Sequence, residues 1–397
     1  MRTSAFCCAR VPSFAAASAL LASAGLVHAG SLSFTPLGFA DPAVGFSLAQ
    51  GISSDGSVVV GFSNYLNDMG ELHTAGFRWT SATGLVALPA DSSTGTNDTS
   101  ATCVSDDGEF VGGTTGFTNV FDGFYEPRNG HVWTNAGTSP VAAFVPGGTD
   151  SEGRDFDSYL VNDCTPSGGR IVGATRDNIP FPEARQAFYR DGSGPTTEIG
   201  TLPGGSYSIA NGVSSDGSVI VGVADNADHA APFRWTQADG MTELTGNTAG
   251  LSGQANGVSA DGSTIVGTLG SNAFAWTSAT EFIDLGQLPA GGFAQAQDVS
   301  GDGSVIVGNQ ITDDGVLAWI YTDGAMIELN TYLASVGVDT GGYFLLTANG
   351  ISDDGLTICG AAISPNFEFE AYVVHIPSPA SVLVLGGLLP LAARRRR

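Results

Sequence analysis

Residues 198–222 read EIGTLPGGSYSIANGVSSDGSVIVG, and after a short loop residues 231–236 read APFRWT. Four pieces of this stretch carry the marks of separate short strands. Ala210 to Ser214 is an alternating run with a small residue, as suits a crowded inner strand. The S-x-D-G segment after it has the chemistry of a tight hairpin, because the aspartate bonds nearby amides and glycine accepts positive φ. The run SVIVG is short and β-branched, as expected of a strand buried on both faces. Phe233 and Trp235 stand two apart, so a third strand places them on one face. The polar–apolar alternation of TEIGTL, followed by LPGG, predicts an outer strand and its turn.

The same unit returns along the chain. Its turn glycine recurs at Gly56, Gly108, Gly168, Gly217, Gly262, Gly303 and Gly355, with spacings of 52, 60, 49, 45, 41 and 52 residues. Repeats of about 41–60 residues match four-stranded propeller blades rather than short solenoid coils. All five tryptophans, at 79, 133, 235, 276 and 319, fall in the aromatic piece and read as packing between blades. The order of pieces at the two ends argues for closure. The last unit contains ANGIS, DGLTICG and AYVVH but no fourth strand, while SLSFTPLG, residues 31–38, is an orphan fourth strand ahead of the first unit. Pairing the two would complete seven blades and cover the exposed edges. The expected fold is an all-β, seven-bladed β-propeller whose N-terminal strand closes the last blade.

Composition agrees with this. The 397 residues include 56 glycines and only 13% charged residues, which describes many short strands joined by tight turns. Every cation is arginine. Residues 30–393 hold 8 arginines against all 39 carboxylates, a net charge of −31, so nucleic acid and anionic membrane surfaces would repel the body.

The repeats resemble the HAF-repeat family of predicted extracellular proteins over about residues 31–375. The shared features are a leucine-glycine-glycine segment, an alanine-x-glycine strand, a glycine-bounded valine strand and an aromatic strand. Ala75, Gln186, Ala231 and Asn272 occupy the positions of the name-giving histidine. The resemblance implies an extracellular location and a repeat architecture, and no particular activity.

The two ends read as export signals. Residues 1–29 run from Arg2 and Arg10 through an apolar stretch to Val27-His28-Ala29, the layout of a secretory signal peptide cleaved before Gly30. Residues 376–397 form a tail in which Pro377 and Pro379 precede an apolar run that ends in Arg394, Arg395, Arg396 and Arg397. The fourteen residues 380–393 would rise about 21 Å as a helix, short of the roughly 30 Å hydrocarbon core, so the tail is a marginal membrane stop. This tail resembles the PEP-CTERM class of sorting signals, with Ser378 where the glutamate of the motif would stand. That resemblance implies processing by an exosortase-like enzyme in addition to the general export machinery. Membrane contact is expected only through the tail, and the propeller domain is expected over 30–375.

Candidate chemistry is sparse. His73, His131, His229 and His375 occupy different places in their units and share no ligand spacing, so bland strand or loop roles are expected. The recurring aspartates Asp55, Asp107, Asp216, Asp261, Asp302 and Asp354 each precede glycine directly, which fits turns better than calcium loops or Asp-boxes. Cys103, Cys164 and Cys359 remain after the leader. Either Cys103 and Cys164, one repeat apart, form a disulfide, or all three are small buried strand residues. No catalytic, metal-binding or cofactor-binding residue emerges.

Departures from the repeat are more informative, because blade cores must repeat whereas binding loops need not. Units two and three carry the insertions 114–130, 149–159 and 175–184. Tyr125, Arg128, Arg154, Phe156, Arg176 and Arg185 form a candidate binding face there, suited to a polysaccharide or a surface protein. Long surface loops held by their own ion pairs would give the same composition. The expected function is therefore an exported cell-surface or matrix propeller that binds or builds. The alternative is a secreted propeller enzyme acting on glycans, with carboxylates in its channel.

Overall fold

The computed structural model describes residues 32–90, 98–115, 129–135, 140–144, 156–177, 185–246 and 250–377. Within them, 28 strands form seven four-stranded antiparallel sheets, with one short helix, Leu329–Ser335. Blades 1 to 6 span residues 47–87, 99–144, 156–198, 208–243, 253–286 and 293–328, each ordered from inner to outer strand. Blade 7 takes three strands, Phe344–Ile351, Thr357–Ile363 and Phe369–His375, from the C-terminal part of the chain. Its fourth is Ser33–Pro36, paired antiparallel with Phe369–His375 in the register Ser33 to His375 and Pro36 to Tyr372. Phe34 anchors this strand against Tyr343 and Tyr372, with ring centroids 5.2 and 5.5 Å away. The seven-bladed propeller and its closure by the N-terminal strand are thus the fold observed.

Local chemistry explains why each unit folds alike. In blade 4, Ser214 Oγ donates to Asp216 Oδ1 at 2.8 Å and accepts the N–H of Val219 at 3.0 Å, while Asp216 Oδ1 accepts the N–H of Ser218 at 2.8 Å. Gly217 sits at φ +75°, a conformation that glycine alone enters without strain. The serine–aspartate bond recurs as Ser53–Asp55, Ser105–Asp107, Ser259–Asp261, Ser300–Asp302 and Ser352–Asp354. Blade 3 substitutes Thr165 and Ser167. The repeated aspartates are turn residues in the structure.

The glycine that ends each valine run has a packing cause. It pairs with an aromatic residue of the third strand in blades 1 and 3 to 7: Phe77, Phe188, Phe233, Phe274, Trp319 and Tyr372. Blade 2 uses His131, which is fully buried. A Cβ at Gly222 would meet the Phe233 ring at 2.9 Å and, nearer still, the Ile209 carbonyl; the matching inner-strand carbonyl is the nearest atom at this glycine in every blade. Each fully buried ring contributes roughly 1.5–3 kcal/mol of transfer free energy.

All five tryptophans lie on third strands, but they hold two different positions there. Trp79, Trp133, Trp235 and Trp276 stand two residues after the ring position, whereas Trp319 occupies that position itself, paired with Gly308. In blade 6 the aromatic pair is Trp319 and Tyr321, so the pattern keeps its spacing but changes its members. Trp133 packs with Val58, Val60 and Leu88 of blade 1 and donates to the carbonyl of Pro89 at 2.9 Å, which makes it an inter-blade residue.

Cys103 and Cys164 form a disulfide that joins the inner strands of blades 2 and 3, with Cα atoms 5.8 Å apart; Cys359 is buried and free. The helix lies between blades 6 and 7 and buries Leu329, Tyr332 and Leu333 in their shared core. It accounts for part of the long spacing between Gly303 and Gly355, and composition gave no sign of it.

Candidate functional site

The blades leave an axial channel whose two ends differ. At the turn end, where the S-x-D-G hairpins gather, backbone groups are laced around the axis. Asp353 N–H donates to Ser54 O at 2.8 Å, Gly301 to Asp353 at 2.9 Å, Ala260 to Gly301 at 3.2 Å, and Ser215 to Ala260 at 3.1 Å. Asp106 N–H donates to Pro166 O at 2.8 Å, and Asp106 Oδ1 accepts the N–H and hydroxyl of Ser54. Pro166 has no N–H, so the backbone lacing cannot continue from blade 3 to blade 4.

Farther along the axis, each inner strand carries a β-bulge at one shared position, within A-N-G in blades 4, 5 and 7 and with Asp163 and Asp298 in the place of the glycine in blades 3 and 6. The residue passed over by the pairing is Gln50, Thr102, Asn162, Asn211, Asn256, Gln297 or Asn349. A bulge re-aims its extra side chain, and here most of these side chains reach the next blade. Asn162 donates to Ala210 O at 2.8 Å, Asn211 to Ala255 O at 2.8 Å, and Asn256 to Ala296 O at 2.7 Å. Thr102 donates to Val161 O at 2.7 Å, and Asn349 closes the circle on Ala49 O at 2.7 Å. Gln50 accepts from Ser100 of blade 2 at 2.6 Å, while Gln297 bonds Asn309 within its own blade. These residues enclose a cavity of about 170 Å³.

Three acids line the same cavity, Asp353 at the turn end and Asp163 and Asp298 beside the bulges. Asp163 accepts the N–H of Cys164 at 2.8 Å and, from the next blade, that of Val213 at 2.9 Å. Asp298 does the same with Val299 at 2.8 Å and Ile351 at 2.9 Å. Desolvation at the channel wall pushes Asp163 up to about 7, with a further rise from the charge of Asp298, against the pull of the two backbone N–H groups. Desolvation likewise pushes Asp298 up to about 6. Every carboxyl oxygen of the pair accepts a backbone hydrogen bond, so the immediate work of both acids is to link blades 3 to 4 and 6 to 7.

The opposite, loop end carries a groove of about 700 Å³, which runs over blades 4 to 6 and is lined by Tyr207, Gln254, Phe293, Gln295 and, from blade 3, Arg185. Asp225 fixes the approach to Tyr207 by accepting the N–H groups of Ser206 and Tyr207, both at 2.7 Å. Burial, and then the Asp225 carboxylate, hold the Tyr207 phenol above its usual range, with Arg185 acting in the opposite sense.

Of the face expected from sequence, Tyr125, Arg128 and Arg154 lie outside the described residues. Phe156 and Arg176 belong by backbone to neighbouring strands of blade 3, Phe156–Cys164 and Arg170–Asp177, and their side chains lie outside the description. Arg185 alone among the six has a described side chain, and it sits at the groove. The chain leaves and re-enters its blades at Thr115 and Asn129, Phe144 and Phe156, and Asp177 and Ala187, all at the loop end. The three insertions therefore root on one end of the propeller. In the tail, Pro377 is described, whereas Pro379 and Arg394 to Arg397 lie outside, as do residues 1–29, where a signal peptide is expected. Among the described residues no group of three or more His, Cys, Asp or Glu is placed to hold a metal ion, and no helix is long and apolar enough to cross a membrane.

Sequence reasoning missed the bulge ring and the groove. The signal for the first was present, since a polar residue recurs between two small ones in A-N-G. The groove arises from substitutions just ahead of that motif in blades 4 to 6 and from no insertion.

No protein-family model and no curated protein matches the chain. Among solved structures, it is similar to an oligogalacturonate lyase in complex with manganese, at 14% identity and a TM-score of 0.52 over 87% of this chain and 93% of that one. It is also similar to an oligogalacturonate lyase from Vibrio parahaemolyticus, at 10% identity and a TM-score of 0.52 over 87% and 97% of the two chains. An acylaminoacyl peptidase matches at 10% identity and a TM-score of 0.51, over 86% of this chain and 54% of that one. At these identities the likeness establishes a shared propeller fold.

Proposed function

We propose that this propeller is an exported cell-surface or extracellular-matrix protein that binds or builds, with its loop end as the presented face. The observation that carries this reading is the placement of the chain ends. His375 pairs with Thr357, two residues after the turn glycine Gly355, and Ser33 pairs with His375. Both ends of the described chain therefore meet at the turn end, while the groove and the roots of all three insertions lie at the other. A membrane-directed tail beyond Pro377 would hold the turn end toward the membrane and leave the loop end facing outward. The export machinery and an exosortase-like enzyme are the partners that the two terminal segments imply, and a polysaccharide or surface protein is the ligand class for the loop end.

The test is an epitope inserted at Asp314, in the loop-end turn between Ile306–Thr312 and Gly315–Thr322, together with a tag after Arg397. The epitope is expected to be reached by antibody on intact cells, and the C-terminal tag to be missing from the mature surface protein. Retention of both in the cytoplasm would overturn the reading. The glycan-cleaving alternative draws on one observation, the shared cavity of Asp163 and Asp298. Their engagement with backbone amides across blade seams favours binding instead.

A further inference from the structure

We propose that the loop-end groove over blades 4 to 6 is a binding site for an uncharged oligosaccharide segment; this rests on the reading of the protein as an exported binding propeller and names its ligand class. The groove is built in rows that step down toward the channel. Four residues ahead of the bulged residue, blades 4, 5 and 6 present Tyr207, Ser252 and Phe293. Two aromatic rings thus stand in equivalent places on alternate blades, with a small residue between them. One row deeper, Gln254 and Gln295 belong to adjacent blades, and below them lies the bulge ring.

A sugar ring presents C–H faces and a rim of hydroxyls that both donate and accept. Aromatic rings suit the faces, and planar amides, which also both donate and accept, suit the rim. The volume of about 700 Å³ lies within the range of roughly 300–1,000 Å³ common to ligand pockets.

A second observation points to a missing partner. Thr268, which pairs with Gln254 and lines the groove, is only 3% exposed, and its Oγ1 has no hydrogen-bond partner among the described residues. A buried hydroxyl left unpaired is unfavourable, so a bound hydroxyl that reaches it gains more than an ordinary surface contact. Charge then selects within the class. Arg185 is the one formally charged residue of the lining, and Asp225 lies close behind Tyr207. On a body of net charge −31 this offers no surplus of cations for a polyanion.

Native electrophoresis of the purified protein through gels containing dextran, hydroxyethyl cellulose or galactomannan tests the site, with polygalacturonate as the anionic comparison. Retardation is expected in at least one uncharged gel and not in polygalacturonate. Tyr207→Ala and Phe293→Ala should each weaken it by up to about tenfold, and Met69→Ala, on the exposed loop of blade 1, should leave it unchanged. Thr268→Val keeps the side-chain shape, so it should bind several-fold more weakly while unfolding at no lower temperature than the parent. No retardation in any uncharged gel, retardation in polygalacturonate alone, or parental binding by the two aromatic variants would each overturn the proposal. The epitope experiment reports location independently. A surface-exposed protein that no uncharged gel retards would sink the groove and spare the export reading, and a retarded protein kept in the cytoplasm would do the reverse.

Discussion

Asn349 Nδ2 donates to the carbonyl oxygen of Ala49 at 2.7 Å, across 300 residues of sequence. This is the same bond that Asn211 makes to Ala255 one blade away, yet here it crosses the seam where the chain closes on itself. The seam is fastened at its rim by Ser33–Pro36 and on its axis by Asn349. In Asn349→Ala the Ala49 carbonyl loses its partner, at a cost of about 1–3 kcal/mol. Urea unfolding should show the midpoint falling by a similar amount in Asn349→Ala and Asn211→Ala. Deleting residues 33–36 should lower it much further, because the full edge of Phe369–His375 is then bare. A deletion variant as stable as the parent would mean that the closing strand contributes little.

The closing strand was legible because the repeat was out of phase with the chain: an orphan fourth strand stood ahead of Gly56 and a three-strand unit followed Gly303. The bulge ring was harder to read. Asn211 lies where simple alternation would suffice, and only the one-residue slip between Ala210 and Gly212 turns it toward the next blade. Sequence pattern records which residues recur, and it does not record a slip in register. The helix Leu329–Ser335 escaped for a different reason, since its apolar spacing covers only two turns. The candidate face drew attention to insertions, whereas the groove came from Tyr207, Ser252 and Phe293, three unlike residues at one repeat position.

The disulfide between Cys103 and Cys164 spans 61 residues and ties two neighbouring inner strands. Replacing both by alanine should lower the unfolding free energy by about 4 kcal/mol, as loop-closure entropy gives for a loop of this length. Cys359 is buried, and burial pushes its thiol well above the usual range. In the native oxidised protein iodoacetamide should therefore label no cysteine of the propeller, and labelling should appear only on unfolding. Rapid labelling of Cys359 in the folded protein would contradict its placement.

Gly222 and Gly240 separate two uses of glycine. At Gly222 a Cβ would meet the Phe233 ring at 2.9 Å and come closer still to the Ile209 carbonyl, both held by the blade. Overpacking of this kind costs about 1–3 kcal/mol, and Gly222→Ala should fall at the upper end. Gly240 has φ +70° and open space around it. Gly240→Ala should cost only the left-handed backbone term of about 1–2 kcal/mol. Equal losses of urea midpoint in the two variants would show that close contact with the ring and the Ile209 carbonyl is not what excludes a side chain at Gly222.

Acidity acts on the fold in two opposed ways. Asp163 and Asp298 are pushed up to about 7 and about 6, chiefly by desolvation, against about 3.9 for an unfolded aspartate. The folded chain thus holds these protons more tightly than the unfolded chain, and the stability they contribute is complete below about pH 4. It is lost as the pH rises through 6 and 7. Asp107, Asp216, Asp261 and Asp302 do the opposite, because hydrogen bonds from Ser105, Ser218, Ser263 and Ser304 hold them below the usual carboxylate range. Their contribution is present above about pH 4 and fades in stronger acid. The melting temperature should therefore peak between about pH 4 and 6 and decline toward pH 8. In a double variant, Asp163→Asn with Asp298→Asn, the decline from pH 5 to 8 should flatten, whatever the absolute stability of the variant. A double variant that keeps the full parental slope would place the titration elsewhere in the molecule.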